Sequence, residues 1–333
     1  MILAGIDEAG LGPVLGPLVA SAAVFRYAPA SGDASDTPDL WSVLRSCVSR
    51  DLRRAKKTGV IAVGDSKKLY SRRKADGLAP LERGVLTMLL CKAERQAKTN
   101  LPKTFNEFLD ELAPGARAKA QAYPWYAQSD LPLPRAATAT DVELTANAVR
   151  LAMREAGVEM LSLKSEPVFV GEFNRLIAAT QNKSTTAFDV TCRLLMHVWR
   201  GAPEKDVRVV VDRQGGRVHY REPLQRIFEG CVLKILDETE ERSAYRISHN
   251  DRRMEVSFEV GGESKSLAVA LASMLCKYVR ELFMEQFNAF WTRHVEGLEP
   301  TAGYYVDGRR FYEQITPAMQ RLGVDPNIVY RVR

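Results

Sequence analysis

Apolar residues fill the first six positions of the chain, and two acids follow them at once. Residues 1–6 have the composition of a strand that is buried on both faces, and Asp7 and Glu8 lead into a glycine-rich turn. Successive strand residues point to opposite faces, so both carboxyl groups reach one site only where the backbone twists after Asp7. Gly10 and Gly12 permit such a twist. An ordinary acidic turn that caps a strand has the same pattern, so these residues alone leave both interpretations open.

The order of apolar strand, acid and glycine recurs twice further along the chain. Residues 207–211 (VRVVV) predict a buried strand that ends on Asp212, and RQGG follows it. Residues 254–260 alternate apolar and polar side chains as a half-buried strand does, and two glycines and Glu263 come next. Open α/β sheets place their chemistry at strand ends. We therefore ask whether these acids and the first acid pair meet at one edge of a sheet.

The remaining apolar patterns predict an α/β protein. Further strands are expected at residues 18–25, 59–64, 86–91, 168–170 and 231–236, and helices at residues 41–52, 106–112, 142–156, 173–179, 185–199 and 266–291. The strand at 18–25 should pair with the first strand as a hairpin. Asp65 or Ser66 can cap the helix after the strand at 59–64, and Thr140 or Asp141 can cap the helix at 142–156.

Two stretches predict irregular structure. Residues 28–40 form a loop by composition, and residues 113–140 form an inserted loop without apolar periodicity. Trp125 and Tyr126 in the second stretch either cover the core, as loop aromatics usually do, or stack on bases. Neither a repeat nor a linker divides the chain, so we expect one domain over residues 1–333, with a helical C-terminal part from about residue 264.

Composition excludes several classes of protein. With 333 residues, 46% apolar and 26% charged, the chain is neither disordered nor fibrous. No apolar run is long enough to cross a bilayer, and the acids at positions 7 and 8 interrupt any signal-peptide core, so we expect a cytoplasmic protein without a membrane partner. The five cysteines are odd in number and widely spaced, which favours free buried thiols over disulfides or a zinc site.

The charge balance allows a polyanionic partner without requiring one. The net charge is +6, and basic residues cluster at positions 50–57 and 67–74 and in the pairs at 252–253 and 309–310. Each cluster, taken alone, is equally consistent with a solvated protein face.

Carboxyl groups gathered within a few ångströms repel one another and cannot all stay ionised unless divalent cations neutralise them. Oxygen ligands select Mg²⁺ or Mn²⁺, and two such ions about 3.5 to 4 Å apart form the clamp used for in-line displacement at a phosphodiester. The acids therefore lead to a nuclease hypothesis, in which Lys67 and Lys68 hold phosphates.

Five separated blocks of the sequence resemble the type 2 ribonucleases H, the family of ribonucleases HII and HIII. They are GIDEAGLGPVLGP (5–17), DSKKL (65–69), VVVD (209–212), ESKSLAVALASMLCKYVRE (263–281) and GVDPNIVYR (323–331). The fourth acid is a glutamate, and the GGESK around it looks more like the HIII branch than the HII branch.

The resemblance implies a ribonuclease-H-like mixed sheet flanked by helices, and an endonuclease that hydrolyses the RNA strand of RNA–DNA hybrids to 3′-hydroxyl and 5′-phosphate ends. It implies two Mg²⁺ or Mn²⁺ ions in each site, and a monomer is the favoured state. The implied catalytic residues and metal ligands are Asp7, Glu8, Asp212 and Glu263. The implied substrate contacts are Gly10, Leu11, Gly12, Ser66, Lys67 and Lys68.

The chain departs from the family in two places. Leu11 stands between the two glycines where the HII turn has an arginine that helps to recognise the ribose 2′-hydroxyl. The family's C-terminal tyrosine falls in a region of altered length, where Tyr304, Tyr305, Tyr312 or none of them replaces it. We therefore expect cleavage of longer hybrids rather than of single embedded ribonucleotides. A non-catalytic nucleic-acid-binding relative and a nuclease of the same fold with another substrate stay open as alternatives.

Overall fold

The computed structural model describes residues 1–29, 37–72, 74, 76–92 and 100–332. Its strands are β1 (Ile2–Ala9), β2 (Leu18–Tyr27), β3 (Val48–Ser49), β4 (Ile61–Ala62), β5 (Val158–Val168), β6 (Asp206–Asp212), β7 (Val232–Glu238), β8 (Arg242–His249) and β9 (Arg252–Glu259). Its helices are α1 (Leu40–Val43), α2 (Leu52–Thr58), α3 (Ser66–Leu69), α4 (Ala79–Leu90), α5 (Phe105–Leu112), α6 (Ala116–Ala120), α7 (Pro124–Ala127), α8 (Ala139–Glu155), α9 (Val170–Thr180), α10 (Lys183–Gly201), α11 (Arg221–Ile227), α12 (Gly262–Lys265), α13 (Leu267–His294) and α14 (Tyr305–Arg321), and a 3-10 helix spans Pro326–Ile328.

The seven long strands form one mixed sheet in the order β5-β2-β1-β6-β9-β8-β7. The three central strands, β1, β6 and β9, run parallel to one another, and the outer pairs are antiparallel. The carboxyl ends of parallel strands meet at one edge of a sheet. The predicted α/β class, with a mixed sheet flanked by helices and β1 and β2 paired as a hairpin, is confirmed.

An apolar core covers each face of the sheet. Leu3 of β1 belongs to the core beneath α13, whereas Ile2, Ala4 and Ile6 belong to the core beneath α10. Strand β1 is therefore buried on both faces, as its composition predicts.

Helix α13 passes directly over β1, and Gly5 permits the contact. A Cβ atom at Gly5 would lie 2.1 Å from the Val269 nitrogen and 2.2 Å from the Ala268 carbonyl carbon. Any side chain at this position would push the helix off the strand, so Gly5 sets how closely α13 approaches the end of β1.

Three element predictions are wrong. Residues 86–91 lie in helix α4 rather than in a strand, because this helix is buried nearly all round and its apolar run has no polar face to reveal the helical period. Residues 41–52 hold α1, β3 and the start of α2 rather than a single helix. Of the short strand expected at 168–170, only Val168 is in a strand, as the last residue of the eleven-residue edge strand β5, and Val170 already begins helix α9.

The predicted inserted loop at 113–140 contains the short helices α6 and α7 and the start of α8, so it is not irregular throughout. Trp125 and Tyr126 are only 2% and 6% exposed, which confirms that they pack into the core rather than stand free to stack on bases. Strand β8 and helix α11 are elements that the pattern analysis missed. Of the predicted loop at 28–40, residues 30–36 lie outside the described residues.

Local signals at helix starts are largely reproduced. The Asp65 side chain caps α3, as expected, whereas α8 is capped by Thr138 rather than by Thr140 or Asp141. All five cysteines are free thiols, as predicted. Within the described ranges, no helix is both long and apolar enough to span a bilayer.

Candidate functional site

Asp7 and Asp212 leave neighbouring parallel strands at the same edge of the sheet. Ile6 of β1 lies opposite Val211 of β6, so the next residue of each strand is an acid. The Asp7 side chain is buried, and its Oδ1 accepts a hydrogen bond of 2.6 Å from the Glu8 amide. The hydroxyl of Ser273, on α13, acts to lower the pKa of Asp7, so it lies close to the Asp7 carboxyl group. Strand pairing therefore brings these two acids together, and α13 fixes the first of them.

The Glu8 carboxyl group is held from the opposite face of the sheet. Its Oε2 accepts a hydrogen bond of 2.9 Å from the side-chain amide of Gln214, which also donates to the Thr191 hydroxyl at 2.8 Å. Strand β1 continues through Glu8 to Ala9 in unbroken register with β2, so the backbone change expected just after Asp7 does not interrupt the strand. Glu8 instead draws its support from helix α10 through Thr191.

Glu263 reaches the site from a one-turn helix rather than from a strand end. Strand β9 ends at Glu259, and Glu263 lies four residues beyond it in α12. The amide of Gly262 donates a hydrogen bond of 2.7 Å to Asp212 Oδ1, and the neighbouring Glu263 carboxyl group is close enough to raise the pKa of Asp212. A Cβ at Gly262 would lie 3.3 Å from the Asp212 Cα, so any side chain there would press on Asp212.

Burial is the largest cause of the raised pKa values of Asp7, Glu8 and Asp212, and the charges of neighbouring acids raise them further. Burial and the charges of Glu8 and Asp212 raise the pKa of Asp7 well above its ordinary value. Burial, and to a lesser extent Glu263, raise the pKa of Glu8 to about 7. Burial and the neighbouring Glu263 raise the pKa of Asp212 to about 7 as well. Asp7, Glu8 and Asp212 therefore cannot all be ionised at neutral pH without a compensating positive charge.

The chemistry of this donor set suits a hard divalent cation. Carboxylate oxygens are the ligands that Mg²⁺ and Mn²⁺ prefer, and the raised pKa values show how strongly this group of acids would gain from a cation. Across the described part of the chain, no three His, Cys, Asp or Glu side chains are already arranged as metal ligands.

The glycine turn, which we define as residues 10–17, follows the acid pair directly. Gly10 has a φ of +91°, a left-handed conformation that L side chains rarely adopt. The Leu11 side chain is half-buried and packs against the core beneath α10, whereas Gly12 is exposed and faces open space. Of these three predicted substrate contacts, Gly12 is thus the most accessible to a ligand.

The predicted contacts on α3 differ in their distance from the acids. The Ser66 hydroxyl is buried and lies 3.1 Å from the Ser273 hydroxyl, which itself lies close to Asp7. The positive charge of Lys67 acts to lower the pKa of Glu8, so its side chain is close to the acids. The Lys68 side chain is 85% exposed and pairs with Asp65 at 3.5 Å. Ser66 and Lys67 therefore border the acids, and Lys68 lies in solvent.

Most of the basic clusters lie elsewhere. Arg252 and Arg253 begin β9, at the opposite end of the sheet from the acids, and Arg309 and Arg310 pair with acids of their own helix. In the cluster at 50–57, Arg50 stacks on Trp41 with its guanidinium carbon 3.7 Å from the ring centre. It also donates to the Ser264 carbonyl, next to Glu263, at 3.4 Å. Arg73 of the cluster at 67–74 lies outside the described residues.

Of the three candidate tyrosines, Tyr304 is the best placed beside the glycine turn. It follows Gly303, whose carbonyl accepts hydrogen bonds from the amides of Val14 and Leu15 at 2.7 and 3.3 Å. The Tyr304 side chain is 56% exposed, and Tyr305 beside it is 37% exposed. Tyr312 is half-buried and packs against Tyr330, with their ring centres 4.8 Å apart.

Sequence reasoning missed Gln214, Thr191 and Ser273, each of which supports an acid. Gln214 lies two residues after Asp212 in a turn that the pattern analysis had already marked, so its position was a usable signal. Thr191 and Ser273 lie within long helices, and no local pattern sets them apart from their neighbours.

No protein-family model matches the chain, and no curated protein matches it either. Solved structures of ribonucleases HII and HIII are similar to it. RNase HII of Archaeoglobus fulgidus, solved in complex with PCNA, has 16% identity and a TM-score of 0.41, over 100% of this chain and 95% of that one. Bst-RNase HIII in complex with Mn²⁺ has 15% identity and a TM-score of 0.41, over 99% and 66% of the two chains. Aquifex aeolicus RNase H3 has 14% identity and a TM-score of 0.43, over 99% of this chain and 71% of that one.

These structures belong to the family that the sequence blocks resemble. At these identities and TM-scores, only the residues of the site can support a function for this chain.

Proposed function

We propose that this chain is a metal-dependent endonuclease that hydrolyses the RNA strand of RNA–DNA hybrids and leaves 3′-hydroxyl and 5′-phosphate ends. The observation that carries the proposal is the meeting of Asp7, Glu8, Asp212 and Glu263, from three separate parts of the chain, at one edge of the sheet. Gathering four carboxyl groups at a partly buried edge costs stability through burial and mutual repulsion, and acids placed in this way are typical of functional sites.

In this proposal the four acids hold Mg²⁺ or Mn²⁺, with two ions in each site. Bound divalent cations neutralise the charge of the scissile phosphate and activate the attacking water. Water attacks phosphorus, the bond to the 3′ oxygen breaks, and that oxygen leaves as a hydroxyl. Gln214 orients Glu8 through the hydrogen bond described above, and Ser273 lies close to Asp7.

The surroundings of the acids supply contacts for a nucleic acid. Lys67 is a cation beside Glu8, and it is placed to bind a backbone phosphate. The backbone of Gly12 and the exposed ring of Tyr304 border the same turn, where they are available to a ribose or a base. Leu11 contributes no charge, so recognition of the RNA strand relies on backbone groups of the turn.

Cleavage of a labelled hybrid in Mg²⁺ and in Mn²⁺ tests the proposal. Asp7→Asn and Asp212→Asn should each lower the cleavage rate by at least about 100-fold, since each removes a charged ligand. Asp206→Asn is the matched control, because Asp206 begins the same strand β6 but lies at its far end and pairs with Arg253 at 3.0 Å. Undiminished cleavage by Asp7→Asn and Asp212→Asn would refute the assignment.

A second candidate is a nucleic-acid-binding protein without turnover. It is favoured by the finding that, among the described residues, no three acids are already arranged as metal ligands. Tight hybrid binding with no cleavage in either metal would support it.

A panel of hybrid, duplex DNA, duplex RNA and single strands would also reveal a nuclease of this fold with a different substrate.

A further inference from the structure

Two arginine side chains lie beneath the glycine turn, and each comes from a distant part of the chain. Arg280, on α13, is 2% exposed, and Arg331, near the end of the described chain, is 1% exposed. Buried arginines normally pair with carboxylates. Here, within the described part of the chain, the hydrogen bonds of the two guanidinium groups all go to backbone carbonyls.

The Arg331 guanidinium binds carbonyls at both ends of the turn. Its Nη1 donates to the Gly10 carbonyl at 2.5 Å and to the Pro13 carbonyl at 3.5 Å, and its Nε donates to the Gly16 carbonyl at 2.9 Å. Its planar group also stacks on the Phe173 ring at 4.7 Å. A rigid fork of donors that binds three carbonyls of one turn fixes the shape of that turn.

Arg280 binds the turn from the side of α13. Its Nη2 donates to the carbonyls of Leu15 and Ala302 at 3.0 and 3.2 Å. Its Nε lies against Gly10 and forms no hydrogen bond with any described residue. The absence of a side chain at Gly10 is what leaves room for this guanidinium, because a Cβ there would lie 2.5 Å from Nε.

The segment that carries Arg331 is itself anchored. The Arg331 amide donates to the Val14 carbonyl at 2.9 Å, and Tyr330 pairs with Leu15 as an antiparallel bridge. The side-chain amide of Asn174, on α9, donates to the Tyr330 carbonyl at 2.8 Å, and its oxygen accepts from the Val332 amide at 2.9 Å. The backbone around Arg331 is thus held in place by hydrogen bonds, which fixes the position of the guanidinium group relative to the turn.

The Gly10 carbonyl faces the Arg331 guanidinium, so the Leu11 amide, on the opposite side of the same planar peptide group, points away from it. Among the described residues, the amides of Leu11 and Gly12 form no hydrogen bond. They are the donors that the turn presents next to the acid pair. The acids themselves are held by other groups, Asp7 by Ser273 and Glu8 by Gln214.

We propose that Arg331 and Arg280 are positioning residues that fix the glycine turn so that its free amides meet the substrate. The inference rests on the proposed function and extends it to residues that touch neither the acids nor the substrate. It separates two effects: loss of Arg331 loosens the substrate contact, while the acids keep their own supports. The variant should therefore lose substrate affinity much more than turnover.

Steady-state cleavage of a hybrid by the whole 333-residue chain tests this separation. Arg331→Met should raise KM by about 10-fold or more with kcat changed by less than about 3-fold, and Arg331→Lys should recover part of the loss. Amide hydrogen exchange at residues 10–16 should become faster in both variants. If Arg331→Met does not fold, Asn174→Ala supplies the test, since it releases the segment that carries Arg331 and should raise KM in the same way.

Arg252→Met is the matched control. Arg252 also donates to a backbone carbonyl, that of Ala202 at 2.8 Å, and stacks on the Trp199 ring at 4.6 Å, but it lies at the far end of the sheet. It should lower the melting temperature without changing KM. An unchanged KM in the Arg331 variants of an active enzyme would overturn this inference alone. A wild-type protein that cleaves no nucleic acid would instead overturn the proposed function, and this inference with it.

Discussion

The side-chain amide of Gln214 connects Glu8 to helix α10. It donates to Glu8 at 2.9 Å and to Thr191 at 2.8 Å from the same nitrogen. Groups that orient a metal ligand commonly contribute 10- to 100-fold to affinity or rate. Gln214 is therefore a residue whose effect on activity should exceed its effect on folding.

We predict that Gln214→Leu lowers the rate of hybrid cleavage by about 10- to 100-fold, because it keeps the approximate volume but leaves Glu8 without its donor. Gln286→Leu is the control, since Gln286 is also buried and donates one hydrogen bond, to the Ser129 carbonyl at 2.8 Å, but lies far along α13. Equal losses of cleavage rate in the two variants would show that the loss of either buried glutamine has the same effect. That result would contradict a specific role for Gln214.

Gly10 and Gly12 of the turn should differ in how much their substitution by alanine lowers the free energy of unfolding. Gly10→Ala should destabilise the protein by about 1 to 3 kcal/mol, since it forces a left-handed residue to carry a side chain that would overlap the Arg280 guanidinium. Gly12→Ala should change stability by less than about 0.5 kcal/mol, because its Cβ would meet open space. Urea unfolding of both variants measures the difference, and equal stabilities would contradict the described turn geometry.

At the scale of elements, the acids were predictable because each follows a strong local pattern. The apolar runs before Asp7 and Asp212 predict buried strands, and the glycines after these acids predict turns. The strand before Glu263 was also recognised, but the extra helix α12 was not, because one turn of helix has too few residues to show a period.

Packing contacts between distant elements gave no local signal. Ser273 supports Asp7 only because Gly5 lets α13 approach β1 closely, a fact about the assembled fold. Arg331 looks like a charged residue near a chain end, yet it is almost fully buried. Helix α4 was mistaken for a strand for the same reason, since burial on nearly every side removes the polar face that identifies a helix.

Helix α4 also carries a buried acid that anchors the stretch between α7 and α8. The Glu82 side chain is fully buried and accepts hydrogen bonds of 2.6 Å from three successive amides, those of residues 135–137. The Tyr278 hydroxyl donates to the same carboxyl group at 2.7 Å. One carboxyl group thus joins α4, α13 and the stretch before α8.

We predict that Glu82→Gln destabilises the protein by about 3 kcal/mol, because an amide has one acceptor oxygen and places its NH₂ group against backbone donors. Glu143→Gln, at an exposed position on α8, should stay within about 0.5 kcal/mol of the parent protein. Chemical denaturation measures both. A loss below about 1 kcal/mol in Glu82→Gln would contradict the role of Glu82 as an anchor.

At the scale of the whole molecule, the sheet order is what makes the acids a single site. Strands β1, β6 and β9 are parallel neighbours although about 200 residues separate the first from the second. The stability of the entire fold must therefore offset the repulsion among the acids that meet at this edge of the sheet. This balance makes stability depend on pH in a way that metal ions should change.

We predict that the metal-free protein becomes more stable as the pH falls from 8 to 5. The pKa values of Glu8 and Asp212 are raised to about 7 in the folded state, against ordinary values of 4.5 and 3.8. Between these limits the folded state binds more protons than the unfolded state, so its stability falls as the pH rises through about 7. Melting temperatures in a chelating buffer measure the trend.

Asp212→Asn separates this effect from all other titrating groups. At pH 8 the variant should be more stable than the parent by about 1 kcal/mol or more, since it removes one charge from the crowded group, and at pH 5 the advantage should shrink. Mg²⁺ or Mn²⁺ should stabilise the parent more at pH 8 than at pH 5, because protons and cations compete for the same oxygens. The variant should respond less to either metal. If neither metal changes the stability of the parent protein at pH 8, the four acids hold no cation. That result would contradict the metal-dependent hydrolysis proposed for them.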